Sequence, residues 1–80
     1  MRLDKYLKVS RIIKRRTIAN EACDNGRVMI NGKQVRASYA VKAGDIIEIS
    51  FGTHTVKAEI LNVTETAKKD EAASMYRIIE

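Results

Sequence analysis

The chain has 80 residues, 45% of them hydrophobic, which suffices for one small core and excludes a catalytic domain folded beside a separate binding domain. Its net charge of +5 is unevenly spread: residues 1–42 hold eleven Lys/Arg and three Asp/Glu, a balance of +8, whereas residues 43–80 hold four and seven, a balance of −3. Clustered cations of this kind predict a polyanionic partner for the first half, and the alternative is a basic face that only increases solubility.

The first predicted element is an amphipathic helix over residues 2–9. At about 100° per residue, Leu3, Tyr6 and Leu7 gather on one side, which we predict to be buried, while basic residues spread over the other. Ser10 is expected to end this helix, because its hydroxyl competes for backbone hydrogen bonds.

The first sixteen residues carry the strongest charge signal in the chain. Asp4 is their one anion, and it is accompanied by seven cations: Arg2, Lys5, Lys8, Arg11, Lys14, Arg15 and Arg16. Arg15 and Arg16 fall at the predicted start of a second helix, where side-chain charge and first-turn N–H groups both favour phosphate oxygens. We therefore predict that these residues bind phosphate; the alternative for Arg15 and Arg16 is pairing with a helix carboxylate such as Glu21.

A second helix is predicted over residues 16–24, and Asn25-Gly26 provides its end, since Gly adopts the left-handed conformation without steric cost. Its predicted inward stripe consists of Ile18, Ala19, Ala22 and Cys23. The small alanines allow close approach of the first helix. Cys23 is the one cysteine, so neither an intramolecular disulfide nor a cysteine metal site can form.

The middle of the chain predicts a small antiparallel sheet. Residues 28–30 and 33–35 flank Asn31-Gly32, a two-residue turn typical of hairpins, with Val28 and Ile30 pointing inward. Residues 36–41 are predicted as an irregular crossing and residues 42–45 as a turn containing Asp45. Strands over residues 46–51 and 55–61 then pair antiparallel.

The end of the chain predicts a short helix over residues 67–74, capped by Thr66, and a closing strand over residues 75–79. The fold class is therefore α+β: two N-terminal helices packed on a small, mainly antiparallel sheet, with a short C-terminal helix and strand. We expect residues 1–80 to form a single domain.

Enzyme chemistry is not favoured by these residues. His54 is the one histidine, it falls in a predicted turn, and we expect it to face solvent rather than to act as a base or metal ligand. We predict no catalytic residue, no metal and no cofactor. Residue runs long and apolar enough for a membrane span are absent from the sequence, and we expect a cytoplasmic protein without membrane contact.

An ordered series of landmarks resembles the alpha-L RNA-binding motif, also called the S4 domain: Arg2-Leu3-Asp4-Lys5-x-Leu7, Arg16-x-x-Ala19, Gly26-x-Val28-x-Ile30-Asn31-Gly32-x-x-Val35 and Val41-x-x-Gly44-Asp45-x-Ile47. The similarity covers a core motif of residues 2–49 and leaves residues 50–80 as a C-terminal extension. Many members have Ser in place of Arg15, so the usual helix cap is replaced by a cation. In this family the two helices form an L and the strands pack beside them.

Residues 71–76 and the overall length resemble the small stand-alone members, the fifteen-kilodalton ribosome-binding heat-shock protein and the ribosome-associated quality-control factor P, and the basic run 8–17 is most similar to the latter. That resemblance implies binding to large ribosomal subunits that carry a stalled peptidyl-tRNA, and we expect the protein to be a monomer. The resemblance also implies contacts to rRNA and tRNA and support of C-terminal alanine tailing alongside a tailing partner protein. The alternatives are a heat-shock-type factor that recycles blocked subunits, a DNA-binding module resembling a winged helix, or a domain that binds only proteins.

The resemblance assigns RNA contact to the seven cations of the first sixteen residues, with Arg16 the best match to the motif. It extends to the tip of the hairpin, where Asn31, Lys33 and Gln34 are candidates for further contacts.

Overall fold

A computed structural model describes residues 1–65 and 67–79, and it confirms the α+β class with two N-terminal helices and an antiparallel sheet. Its elements are α1 (Leu3–Val9), α2 (Arg16–Asp24), β1 (Val28–Ile30), β2 (Lys33–Gln34), β3 (Ile46–Phe51), β4 (His54–Ile60), α3 (Lys69–Ala72) and β5 (Tyr76–Ile78). The strands lie in the order β2-β1-β3-β4-β5. No helix within the described residues is long and apolar enough to cross a bilayer.

The core forms between the two N-terminal helices and one face of the sheet. Leu3, Tyr6 and Leu7 of α1 are completely buried, as their helical spacing predicts, and Val28 and Ile30 of β1 face them from the sheet. This burial of aliphatic surface is the main favourable contribution to folding in a chain without tryptophan.

The inward stripe predicted for α2 is only partly correct. Ala19 and Cys23 are buried, and Ala22 packs against the core. Ile18, however, is 49% exposed, so its predicted inward position is wrong. The reason is the orientation of α2, which presents Ala19 to the interior and leaves the preceding residue beside a shallow apolar groove that Ile12 and Phe51 also line.

The predicted hairpin is confirmed. Asn31 and Gly32 have φ angles of 53° and 84°, the positive values that this two-residue turn requires. The Asn31 side chain also joins the hairpin to the turn before β3: its Nδ2 donates to Asp45 Oδ1 at 3.1 Å, and its Oδ1 accepts from the Ile46 N–H at 2.9 Å. Asp45 Oδ2 accepts from the Lys42 N–H at 3.1 Å, which confirms Asp45 as a turn residue.

The later elements keep the predicted order with shifted ends. His54 is exposed, as predicted, but it begins β4 opposite Phe51, so the turn before it is shorter than predicted. α3 spans only Lys69–Ala72, and the predicted cap Thr66 lies outside the described residues. The Tyr6 hydroxyl donates to the Met75 carbonyl at 2.9 Å and thereby joins α1 to the segment leading into β5.

Candidate nucleic-acid interface

The helix connection, residues 10–15, turns the chain from α1 into α2 and carries three cations. Ser10 is buried and ends α1, as predicted, and its hydroxyl donates to the Leu7 carbonyl at 3.3 Å. Arg11 follows with a φ of 64°, a left-handed conformation that non-glycine residues adopt rarely. Ile13 is buried in the core and anchors the connection there. The cations Arg11, Lys14 and Arg15 are all exposed.

A buried carboxylate organises the adjacent helix ends. Asp4 is only 2% exposed, and its oxygens lie 3.2 Å from Arg2 Nε and 3.4 Å from Arg16 Nε. Asn20 Nδ2 donates to the same carboxylate at 3.3 Å, and the Lys5 N–H donates at 2.8 Å. We refer to Asp4, Arg2, Arg16 and Asn20 as the Asp4 cluster.

The carboxylate of this cluster is ionised at neutral pH. Burial alone would raise the pKa of Asp4, because desolvation disfavours the charged form. Hydrogen bonds from Arg2, Asn20 and Arg16, together with the Lys5 N–H, outweigh burial and hold the pKa below its ordinary value. The two arginine side chains remain 50% and 46% exposed. Since a guanidinium has five N–H donors, both can bind a phosphate while holding Asp4.

Five cations from α1, the helix connection and the start of α2 line an open cavity of about 910 Å³, which we call the basic hollow. One wall comes from α1, the helix connection and the start of α2: Lys5, Lys8, Val9, Arg11, Lys14 and Arg16. The other wall comes from the segment before α3 and from its first residue: Glu65, Ala67 and Lys69. Five of the seven predicted cations therefore meet at one place.

Carboxylates of the protein neutralise only part of this charge. Lys5 Nζ lies 3.4 Å from Glu65 Oε1, and Arg16 holds Asp4. Lys8, Arg11 and Lys14 form no ion pair with any described residue. A concentration of unpaired cations in a concave site is the electrostatic pattern of a phosphate-binding surface.

The structure also separates some predicted residues from the hollow. Arg2 and Arg15 lie outside its walls. Arg15 is the residue before α2 and makes no side-chain cap, in keeping with its place where Ser is common. The alternative of pairing with Glu21 is wrong within the described residues, since Arg16 binds Asp4 and Arg15 binds no carboxylate.

The hairpin tip lies apart from the basic hollow. β2 is the edge strand opposite β5, and Asn31 and Lys33 line no part of the hollow. The Asn31 amide is engaged by Asp45 and Ile46, and Gln34 Nε2 donates to the Gly26 carbonyl at 3.1 Å. Asn31 and Gln34 thus have structural roles here, whereas Lys33 is exposed and RNA contact through it stays a prediction.

Sequence reasoning missed two charged residues of the hollow, Glu65 and Lys69. Their approach to α1 depends on how the chain returns from β4 to β5, and no local pattern encodes that path. The Lys68-Lys69 pair is the one local signal, in a half of the chain that is acidic overall.

The remaining buried ionisable groups do not form a reactive site. Burial raises the pKa of the Cys23 thiol to about 11, with smaller contributions from Asp4 and Asp24, so the thiol stays protonated at neutral pH. Burial likewise raises the pKa of Tyr6, whose hydroxyl donates to Met75. Both groups belong to the core.

Comparisons with known proteins agree with this geometry. The S4 domain family matches residues 1–47. The chain is 53% identical to the RQC P-site tRNA stabilizing factor of Halalkalibacterium halodurans over 98% of this chain and 89% of that protein, and 52% identical to the Bacillus subtilis protein of the same name over 100% and 93%. The trimeric structure of Vibrio cholerae heat shock protein 15 superposes with a TM-score of 0.91 at 29% identity, covering 99% of this chain and 81% of that one.

Proposed function

Since the chain belongs to the S4 domain family, and within it to the proteins named RQC P-site tRNA stabilizing factor, we propose that it is an RNA-binding factor of ribosome quality control. In its finer form, the proposal is that it binds large ribosomal subunits carrying stalled peptidyl-tRNA and contacts both rRNA and tRNA. The observation that carries this proposal is the meeting of Lys8, Arg11 and Lys14 in the basic hollow with no ion pair among the described residues.

The mechanism we propose is positional. The Asp4 cluster presents two guanidinium groups in fixed orientations, and bidentate contact with phosphate depends on such orientation. The lysines of the hollow neutralise phosphates through flexible side chains, and the counterions condensed on the RNA are then released. Phosphate contacts carry no sequence information, so the shape of the folded RNA selects the binding site. Stabilisation of a P-site tRNA then follows from simultaneous contact with tRNA and ribosomal RNA.

Further parts of the proposal rest on the family relationship. We propose that the chain supports alanine tailing together with a tailing partner protein, without itself being an enzyme. The monomeric state stays a prediction, whereas the structure of Vibrio cholerae heat shock protein 15 is trimeric. Analytical ultracentrifugation of the free protein measures this directly.

Recycling of blocked subunits, as a heat-shock-type factor, is the second candidate, and the close superposition with heat shock protein 15 favours it. The two candidates predict different outcomes in a strain lacking the gene. Loss of a tailing factor abolishes alanine tails on stalled chains, whereas loss of a recycling factor leaves tails in place while blocked subunits accumulate.

The test of RNA binding is co-sedimentation of the purified protein with bacterial large ribosomal subunits carrying P-site tRNA. The variant Arg11→Glu with Lys14→Glu reverses two exposed charges that hold no carboxylate within the described residues, so binding should be lost while the melting temperature stays unchanged. The matched control, Arg36→Glu with Lys42→Glu, makes the same charge change at exposed positions outside the hollow and should retain most of the binding.

Salt dependence separates this proposal from a protein-interaction domain. Five phosphate contacts predict a log–log slope of binding against salt of about −3.5 to −4.5. Unchanged sedimentation of the double variant, or a slope near zero, would remove the basis of the proposal. Stronger binding to duplex DNA than to ribosomal RNA at equal salt would instead favour the DNA-binding alternative.

A further inference from the structure

The segment between β4 and β5 is anchored at both ends and reaches back to α1. At its base, the Leu61 N–H donates to the Met75 carbonyl at 2.8 Å. The same carbonyl accepts the Tyr6 hydroxyl, so the base of the segment is attached to the buried side of α1. Ala67 packs against the core, and Ala72 is itself buried. These contacts place the described residues of the segment beside the first helix.

This placement turns an open basic face into a cleft with two walls. Without Glu65, Ala67 and Lys69, the cations of α1, the helix connection and α2 would form one wall only. With them, the cleft has room for more than one phosphate group, and its volume of about 910 Å³ is in the range of ligand-binding cavities.

The second wall carries two opposite charges with opposite consequences for an anion. Lys69 is exposed, forms no ion pair with any described residue, and adds a sixth cation to the cleft. Glu65 is 73% exposed at its side chain, and its Oε1 lies 3.4 Å from Lys5 Nζ, so its carboxylate pairs with an ammonium group that could also pair with a phosphate. A phosphate that binds Lys5 would compete with this carboxylate.

We propose that Glu65 and Lys69 of the C-terminal extension form part of the RNA site, with Lys69 binding a phosphate of the RNA backbone and Glu65 competing with RNA for Lys5. This inference rests on the proposed function and deepens it, because it makes the ligand a backbone stretch held from two sides. Lys69 strengthens binding, and Glu65 weakens it by holding Lys5 in the free protein.

The experiment measures salt-dependent co-sedimentation with large ribosomal subunits carrying P-site tRNA, between about 50 and 200 mM salt. Lys69→Ala should weaken binding about fivefold and reduce the steepness of the salt dependence by about one phosphate contact. Glu65→Gln should tighten binding by about two- to fivefold, the range expected for release of one exposed ion pair, and it should leave the slope where it was.

Matched controls come from the same chain. Lys68→Ala removes the same charge from the neighbouring residue, which is exposed but does not line the hollow, and it should leave affinity and slope nearly unchanged. Glu21→Gln repeats the carboxylate substitution on the exposed surface of α2, outside the hollow, and should have little effect.

The outcomes distinguish this inference from the proposed function. If Lys69→Ala matches Lys68→Ala and Glu65→Gln does not tighten binding, the second wall takes no part, and the inference is wrong while the Arg11/Lys14 result still supports RNA binding. If the Arg11/Lys14 charge reversal has no effect either, the proposed function itself fails. Weakening by both Lys68→Ala and Lys69→Ala to the same extent would indicate general charge attraction and would overturn the specific role of Lys69.

Discussion

The Asp4 cluster and the helix connection present cations in two different ways, although they are neighbours in sequence and in space. In the cluster, Arg2 and Arg16 share one buried carboxylate, so their guanidinium groups have fixed directions and a reduced net charge. In the connection, Arg11, Lys14 and Arg15 have no carboxylate partner among the described residues and remain exposed. The cluster is suited to geometric recognition of phosphate, and the connection to attraction of the polyanion.

The two regions also contribute differently to fold stability and to RNA binding. Removing an anchored arginine disturbs a buried carboxylate and therefore affects stability as well as RNA contact. Removing the side chain of Lys14 or Arg15 should affect binding alone, because both are exposed and neither forms an ion pair with a described residue. Charge substitutions in the two regions should therefore differ in their effect on the melting temperature.

The largest loss of stability is expected from Ala19→Leu, because the packing of α1 on α2 supports both the Asp4 cluster and the helix connection. Ala19 is completely buried where α1 and α2 pack, and the added side chain forces the helices apart, at a cost of about 1–3 kcal/mol. The melting temperature should fall by about 10 °C or more. The control Thr17→Leu introduces the same side chain on the exposed side of α2 and should change the melting temperature by less than about 3 °C. An Ala19→Leu protein as stable as the parent would contradict the close packing of α1 on α2.

The second-largest loss of stability is expected from a substitution in the Asp4 cluster. Asp4→Asn leaves two guanidinium groups without their carboxylate, and we expect a loss of about 1–2 kcal/mol, limited by the half-exposed arginines. Because the folded-state pKa of Asp4 lies below its unfolded value of about 3.9, the stabilisation is fully present above that pH. It is lost as the pH falls through the folded-state pKa.

The measurement is the melting temperature of parent and Asp4→Asn from about pH 5 down to about pH 2, where the difference between the two proteins should shrink. Asp24→Asn is the control, because Asp24 is exposed and forms no ion pair with a described residue. A difference that stays constant over this pH range would show that the carboxylate charge does not hold the cluster together.

The smallest change in stability is expected from a substitution in the helix connection. Arg11 has a φ of 64°, which Asn tolerates better, so Arg11→Asn should stabilise the fold by about 0.5–1 kcal/mol. The same change removes a cation from the hollow and should weaken binding to large subunits about fivefold. Thermal melting and co-sedimentation should thus move in opposite directions, and a variant that loses both stability and binding would show that the Arg11 side chain supports the fold.

Local patterns in the sequence predict most of the elements, for identifiable reasons. Helical spacing is sufficient to place Leu3 and Leu7 inside, and the Asn31-Gly32 pair specifies a hairpin, because few other residues accept two consecutive positive φ angles. These features depend on neighbours within a few residues. Ends of elements are predicted less well, as at the start of β4, because pairing across the sheet decides where a strand begins.

The sequence by itself determined the α+β class, the two N-terminal helices and the concentration of cations in the first sixteen residues. Only the tertiary structure decided which cations are anchored and which are unpaired, because Arg16 meets Asp4 across twelve positions and Lys5 meets Glu65 across sixty. It also decided that Ile18 is exposed and that Lys69 faces the basic hollow. Such outcomes depend on contacts between distant segments, and the packing of the whole core, rather than any local periodicity, fixes where those segments meet.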